Sequence, residues 1–388
     1  MVLSNKALTG IATYRYKPGT YTLLDNLLSP FWTRCVSFFP LWMAPNLITL
    51  LGTCTLFLTT AIQLIFSPHF SETPPRWIPM AAASGLFIYQ TLDALDGKQA
   101  RRTGSSSPLG QLFDHGCDAV CTLFTALSAA ATVQYGGGFG TFFLLSSLCI
   151  TFYLAQWEEY HTGIMTCGNG VIGVTEGQFL LIGVHLIAVV FGNNLYTHPL
   201  FHSERIGIVT PATALLTGLI ASNILLVLGN ITRVLKNDQR IPADEMGHKH
   251  VSKFLACVQL IPVVLVSISS WLWISGPSEA EYRAFPLLFL GPIGILYVLL
   301  STRMIVSHMC KVPFPSQLRV LLPVVLVTMN AHFPRWIGRS ESWIHPMVAT
   351  ISFGAFMLAI YTHYVYHVVT EICGHLGIHA FKIKARKE

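Results

Sequence analysis

Four aspartates, Asp93, Asp96, Asp114 and Asp118, fall within 26 residues of an apolar stretch of chain. The first two are spaced i,i+3 and the last two i,i+4, so on helices each pair projects from one face, one turn apart. Four negative charges at low dielectric must be protonated or matched by cations. Two divalent ions would supply the balancing charge, and an all-oxygen ligand set suits Mg²⁺ or Mn²⁺ rather than zinc. Gly97 and Ala100 share the face of Asp93 and Asp96 and leave room for a flat ligand against the backbone, while Lys98 and Arg101 stand one turn on, placed to clamp a phosphate. The chemistry this combination points to is a two-metal centre working on a nucleotide diphosphate. Close helix packing explains Gly97 taken singly and snorkelling explains Lys98, but neither explains four aspartates.

The elements that must carry these residues are membrane helices. Charged residues make up 11% of the 388-residue chain against 52% apolar ones, where a soluble domain carries roughly 25% charged; mean hydropathy is +0.56. A soluble fold is excluded, and nothing points to a nucleic-acid partner. Apolar stretches at about 44–67, 77–102, 109–134, 138–158, 174–192, 211–235, 252–275, 285–306, 317–333 and 344–372 predict an all-α, polytopic membrane protein with about ten transmembrane helices. If alternate loops share a side, 19 of the 24 Lys and Arg fall with both termini and the loop at 103–108. That asymmetry places them in the cytosol. Upstream, Leu23, Leu24, Leu27, Leu28, Phe31 and Trp32 recur at helical spacing and predict an amphipathic helix in the cytosolic interface, which Pro30 should kink or end. The first ten residues lack a signal-peptide core, so the first span should target the chain. Nine cysteines without a CxxC pair read as packing residues. The chain divides into a cytosolic segment 1–43, catalytic helices 44–235, and C-terminal helices 236–388 suited to lipid entry or dimer contacts.

Asp93, Asp96, Gly97, Ala100, Arg101, Gly110, Asp114 and Asp118 match every position and gap of D-x2-D-G-x2-A-R-x8-G-x3-D-x3-D. This resembles the signature of the CDP-alcohol phosphotransferase family. The flanks, Pro40 to Asn46 and Leu112 to Asp118, are similar to those of the eukaryotic choline/ethanolamine phosphotransferases. The resemblance implies an enzyme that transfers phosphocholine or phosphoethanolamine from CDP-choline or CDP-ethanolamine to diacylglycerol, releasing CMP, in the endoplasmic reticulum or Golgi membrane near its cytosolic face. By carry-over the four aspartates are metal ligands, Arg101 and Asn46 contact the CDP moiety, and Gly97, Ala100 and Gly110 belong to the nucleotide site. A homodimer is a family expectation.

Diacylglycerol would enter sideways from the bilayer, and its hydroxyl needs a base. Asp118 is one candidate, but a carboxylate on a divalent metal is a weak base. His115, between two aspartates of its helix, is the preferred one. Gln111, one turn earlier, departs from the Glu of eukaryotic relatives and can orient His115 only by hydrogen bonding. Trp157-Glu158-Glu159-Tyr160 reads as an interfacial aromatic belt with solvated acids, in preference to a pocket for the choline or ethanolamine cation. His363, His367, His375 and His379 read as interfacial or packing residues, and His248-Lys249-His250 as a contact for anionic lipid head groups. Intramembrane prenyltransferases also bind diphosphate through aspartates and Mg²⁺, but their motifs lie farther apart. Cation-coupled transporters carry intramembrane carboxylates too, but no repeat or broken mid-membrane helix is visible here.

Overall fold

The structure, a computed structural model, describes residues 2–15, 21–165, 173–203, 207–236, 252–339 and 341–383. The His248-Lys249-His250 tract lies outside the described residues. Two helices precede the membrane region, α1 (Asn5–Ala12) and α2 (Leu23–Cys35). The next six are α3 (Pro45–Phe66), α4 (Trp77–Thr103), α5 (Pro108–Val133), α6 (Phe139–Thr162), α7 (Val174–Phe191) and α8 (Pro211–Lys236). They are followed by α9 (Lys253–Val258), α10 (Ile261–Ser275), α11 (Glu279–Ala284), α12 (Pro286–Met309), α13 (Leu318–Trp336) and α14 (Pro346–Leu376). Between α7 and α8 a small antiparallel ladder pairs Phe201–Ser203 with Gly207–Val209, His202 opposite Ile208.

The protein is an all-α polytopic membrane protein. Each predicted span corresponds to a long helical segment, and among the described residues eight of these are long and apolar enough to cross a membrane. The other two are α4 and α13. The shortfall in α4 coincides with the polar residues Gln90, Asp93 and Asp96, which the helix brings to membrane depth. The span at 252–275 is broken into α9 and α10 because Pro262 opens α10 in its first turn, where its missing N–H costs nothing. Pro30 does not end α2, which continues to Cys35. Pro30 is exposed, so a carbonyl deprived of its partner there stays open to water. Leu23, Leu27 and Phe31, at i, i+4 and i+8, are exposed as one apolar stripe beside a buried Trp32, the pattern of a helix lying in the interface.

Burial sorts the helices into inside and outside. Of the apolar window of α12, 83% is buried, against 11% for α8, so α12 is the central post and α8 faces lipid. α12 lies against α5, α6 and α14. At Gly294 a Cβ would come within 2.3 Å of Leu123 Cδ1, so glycine is what lets α5 approach this closely. α3 packs against both α4 and α5. Polar groups reinforce that contact deep in the apolar layer: Gln63 donates to Thr132 Oγ1 at 2.6 Å and to the Ser128 carbonyl at 3.1 Å, and Ser128 Oγ donates back to Gln63 Oε1 at 2.6 Å. Thr132 also meets His185 Nδ1 of α7 at 2.7 Å. Buried groups satisfied this way fix the register of α3, α5 and α7.

The turn joining α4 to α5 is short for local reasons. Gly104 takes the left-handed conformation, φ 64°, and caps α4. Ser107 then caps α5, its side chain accepting from Gly110 N at 3.1 Å, with Pro108 opening the helix. The two aspartate-bearing segments are thereby brought back to one end of the bundle.

Candidate active site

α4 and α5 project their carboxylates toward each other beside a cavity of about 700 Å³. Asp93, Asp114 and Asp118 each offer one oxygen, and these three atoms lie within 4.8 Å of one another. Asp96 lines the same cavity but stands outside that cluster, where it accepts a short hydrogen bond of 2.5 Å from Thr49 Oγ1 of α3. Asp118 Oδ1 accepts from the Tyr89 hydroxyl at 2.7 Å. Asp93, Asp96 and Asp114 line the cavity wall.

Whether these residues suit a divalent ion is tested by what surrounds them. Asp114 Oδ1 is buried and has no hydrogen-bond partner among the described residues, a costly state for a carboxylate oxygen. Its nearby carboxylates offer only more negative charge, and no lysine or arginine pairs with the cluster among the described residues. An all-oxygen, hard donor set with an orphaned oxygen fits Mg²⁺ or Mn²⁺.

The remaining predicted positions divide in two. Asn46, Gly97, Ala100, Arg101, Gly110 and His115 all line the cavity. A Cβ on Gly97 would lie 3.5 Å from Arg101 Nη1, so this glycine is the floor beneath the guanidinium. A Cβ on Gly110 would lie 3.5 Å from Asn46 Oδ1, so Gly110 and Asn46 form an adjoining wall. Lys98 is placed elsewhere: its Nζ donates to Ser29 Oγ at 3.3 Å and Thr33 Oγ1 at 3.1 Å, which fastens α4 to the interfacial helix α2. Three residues separate Lys98 from Arg101, but Lys98 is on the flank that packs against α2.

Around His115 the arrangement departs from the sequence expectation. The imidazole is 6% exposed, and its Nδ1 stands 4.0 Å from Glu159 Oε2 of α6. Glu159 Oε1 is in turn 3.8 Å from His308 Nε2 of α12. Gln111 Nε2 donates to the Tyr14 hydroxyl at 3.1 Å. The carboxylate facing the histidine therefore comes from another helix and not from one turn earlier in α5. Trp157, Glu158, Glu159 and Tyr160 are all buried, at 3% exposure or less, which overturns the reading of a solvated belt. Glu158 is held by a bidentate ion pair with Arg233 of α8, at 2.6 Å and 2.9 Å. The signal was present in the sequence: two adjacent acids ending an apolar span are expensive unless something meets them. Tyr89 and Thr49, which hold two of the aspartates, carried no such signal. His363 and His367 lie together with ring centroids 4.3 Å apart, with Glu371 near His367 and no carboxylate cluster among the described residues. His379 lines the cavity.

The profile of CDP-alcohol phosphatidyltransferases matches residues 42–190, the stretch that contains every aspartate of the cluster. Choline/ethanolaminephosphotransferase 1 of Arabidopsis thaliana is 33% identical over 394 residues, covering 97% of each chain. Cholinephosphotransferase 1 of Saccharomyces cerevisiae is 30% identical, covering 100% of this chain and 99% of its own length. The human cholinephosphotransferase 1 is 32% identical, covering 98% of this chain and 89% of its own. With relatives aligned nearly end to end and Asp93, Asp96 and Asp114 of the signature lining one cavity, the chain belongs to the CDP-alcohol phosphotransferase family.

Proposed function

We propose that this chain transfers phosphocholine, phosphoethanolamine or both from the CDP-alcohol to diacylglycerol, yielding phosphatidylcholine or phosphatidylethanolamine and CMP. The observation that carries the reading is Asp114, clustered with Asp93 and Asp118 and with its Oδ1 buried and orphaned, beside a cavity that Arg101 and Gly97 also line. The names of the relatives support the same substrates. The excess of basic residues beside the cavity end of the bundle supports a cytosolic site, in an endoplasmic reticulum or Golgi membrane. The helices of 44–235 carry the catalytic residues, and the segment that follows α14 completes the wall.

Asp93, Asp96, Asp114 and Asp118 would hold Mg²⁺ or Mn²⁺, two ions on charge balance. When bound, such ions neutralise the diphosphate and make its phosphorus more electrophilic. Arg101 binds a phosphate oxygen over the floor that Gly97 leaves open. Asn46 and Gly110 hold the nucleoside side, and Ala100 keeps that wall low. His115 takes the proton from the sn-3 hydroxyl of diacylglycerol as its oxygen bonds to the phosphorus bearing the alcohol. The bond from that phosphorus to the CMP oxygen breaks, and CMP departs with the electron pair. His115 is preferred over Asp118 as the base because it lines the cavity and a carboxylate holding a divalent ion is a weak base. Glu159 orients the imidazole from behind.

The test is synthesis by the purified protein. Given diacylglycerol, Mg²⁺ or Mn²⁺ and each CDP-alcohol in turn, it should release CMP and form phospholipid in equal amounts, and chelation should stop both reversibly. Product from neither CDP-alcohol would overturn the proposal.

A further inference from the structure

One wall of the cavity comes from the far end of the chain. Gly377, at φ 61°, ends α14 in the left-handed conformation, and the Ile378 amide returns to the Cys373 carbonyl at 3.2 Å, so the chain reverses off the helix. It then runs along the cavity, which Ile378, His379, Ala380, Lys382 and Ile383 all line. Two contacts hold it there. Asn46 Nδ2 donates to the Ala380 carbonyl at 2.9 Å, and the Phe381 ring meets Phe113 edge-on at 5.5 Å, beside Asp114. The first contact also fixes the Asn46 amide with Oδ1 toward Gly110.

Charge shows what this segment adds. The diphosphate of a CDP-alcohol carries two negative charges. With Lys98 committed to α2, Arg101 and Lys382 are the lysine and arginine residues lining the cavity among the described residues. We propose that residues 377–383 form a strap along the nucleotide cavity and that Lys382 is its second cationic residue for the diphosphate, on a different segment from Arg101. The inference rests on the reading of the cavity as a CDP-alcohol site. The strap lies outside residues 42–190, so the family profile assigns it nothing.

The experiment compares Lys382→Gln, Lys382→Arg and Phe381→Ala with wild type, in full-length protein, by initial rate against CDP-choline and CDP-ethanolamine at saturating Mn²⁺. A charge-assisted phosphate contact predicts that Lys382→Gln raises the KM for the CDP-alcohol about tenfold. In that variant kcat and the KM for diacylglycerol should stay within about twofold, because the interaction is one of binding. Lys382→Arg should restore the wild-type KM, and Phe381→Ala, which unfastens the strap, should raise it. Lys382 is exposed, so its variants keep the fold. An unmoved KM in Lys382→Gln, or a loss confined to kcat, would overturn the strap while leaving the activity standing. A wild-type protein without turnover would overturn the activity and the strap together.

Discussion

Replacing Tyr89 by phenylalanine removes a single oxygen, the one that donates to Asp118 Oδ1 at 2.7 Å from a side chain only 4% exposed. The ring and its packing against Leu56, Ala83 and Leu86 stay in place. A hydrogen bond to a charged acceptor is worth about 1.5–3 kcal/mol, and each ~1.4 kcal/mol is a factor of ten. If Asp118 is a metal ligand, Tyr89→Phe should therefore raise the half-activating Mn²⁺ or Mg²⁺ concentration about 10- to 100-fold, the range expected for hydrogen-bond partners of metal ligands. Thr49→Val, which deletes the donor to Asp96, should act in the same direction. The assay is the initial rate of CMP release against metal concentration at saturating CDP-alcohol and diacylglycerol. At saturating metal both variants should approach wild-type kcat, because neither group touches substrate. A metal curve that does not move in a folded Tyr89→Phe protein would refute the assignment of Asp118. A fall in kcat at every metal concentration, with the midpoint unchanged, would place Tyr89 in some other role.

Other expectations bear on the same site. Asn substitution at Asp93, Asp96, Asp114 or Asp118 should each abolish product formation in protein that still elutes as one species in detergent, and near-normal turnover in any two would remove the two-metal proposal. His115→Ala should lower kcat by roughly 10² to 10⁴ with little change in the KM for the CDP-alcohol, and Glu159→Gln should lower it less; retention of most activity in His115→Ala would leave that residue a structural role. With a cysteine-reduced background, Ser106→Cys should be labelled by an impermeant reagent from the cytosolic side, and labelling from the lumen alone would invert the topology.

Local pattern carried what was legible in the sequence. Ten apolar stretches became long helices because period and length are properties of the stretch itself. The aspartates of α4 and α5 were readable because a short turn joins their helices, so spacing along the chain nearly determines spacing in space. The contacts that were not legible join distant segments. Glu159 approaches His115 from a helix more than forty positions on, and Asn46 meets Ala380 across 334 positions. Nothing local to Tyr89 or Thr49 marks either as the partner of an aspartate, since each is an ordinary residue in an apolar helix. Lys98 shows the complementary error. Its sequence distance from Arg101 allowed a shared clamp, but helical rotation put it against Ser29 and Thr33, and only the packing of α2 decided the matter.

The first residues of the chain are fastened to its last long helix. Glu371 accepts the amides of Val2 and Leu3, at 2.7 Å and 2.8 Å, and Leu8 and Ile11 of α1 bury against Met309, Val368 and Ile372. A polypeptide is made from its amino end, so this arm leaves the ribosome long before the surfaces that receive it exist. It must wait undocked until α14 has been inserted. Tyr14, which follows α1, accepts from Gln111 one turn before His115, so docking of the arm completes the surroundings of α5 as one of the last events of biosynthesis. A chain terminated before Glu371 should leave α1 open to protease even where its earlier helices are correctly inserted, and protection of α1 in such a chain would refute this order of assembly.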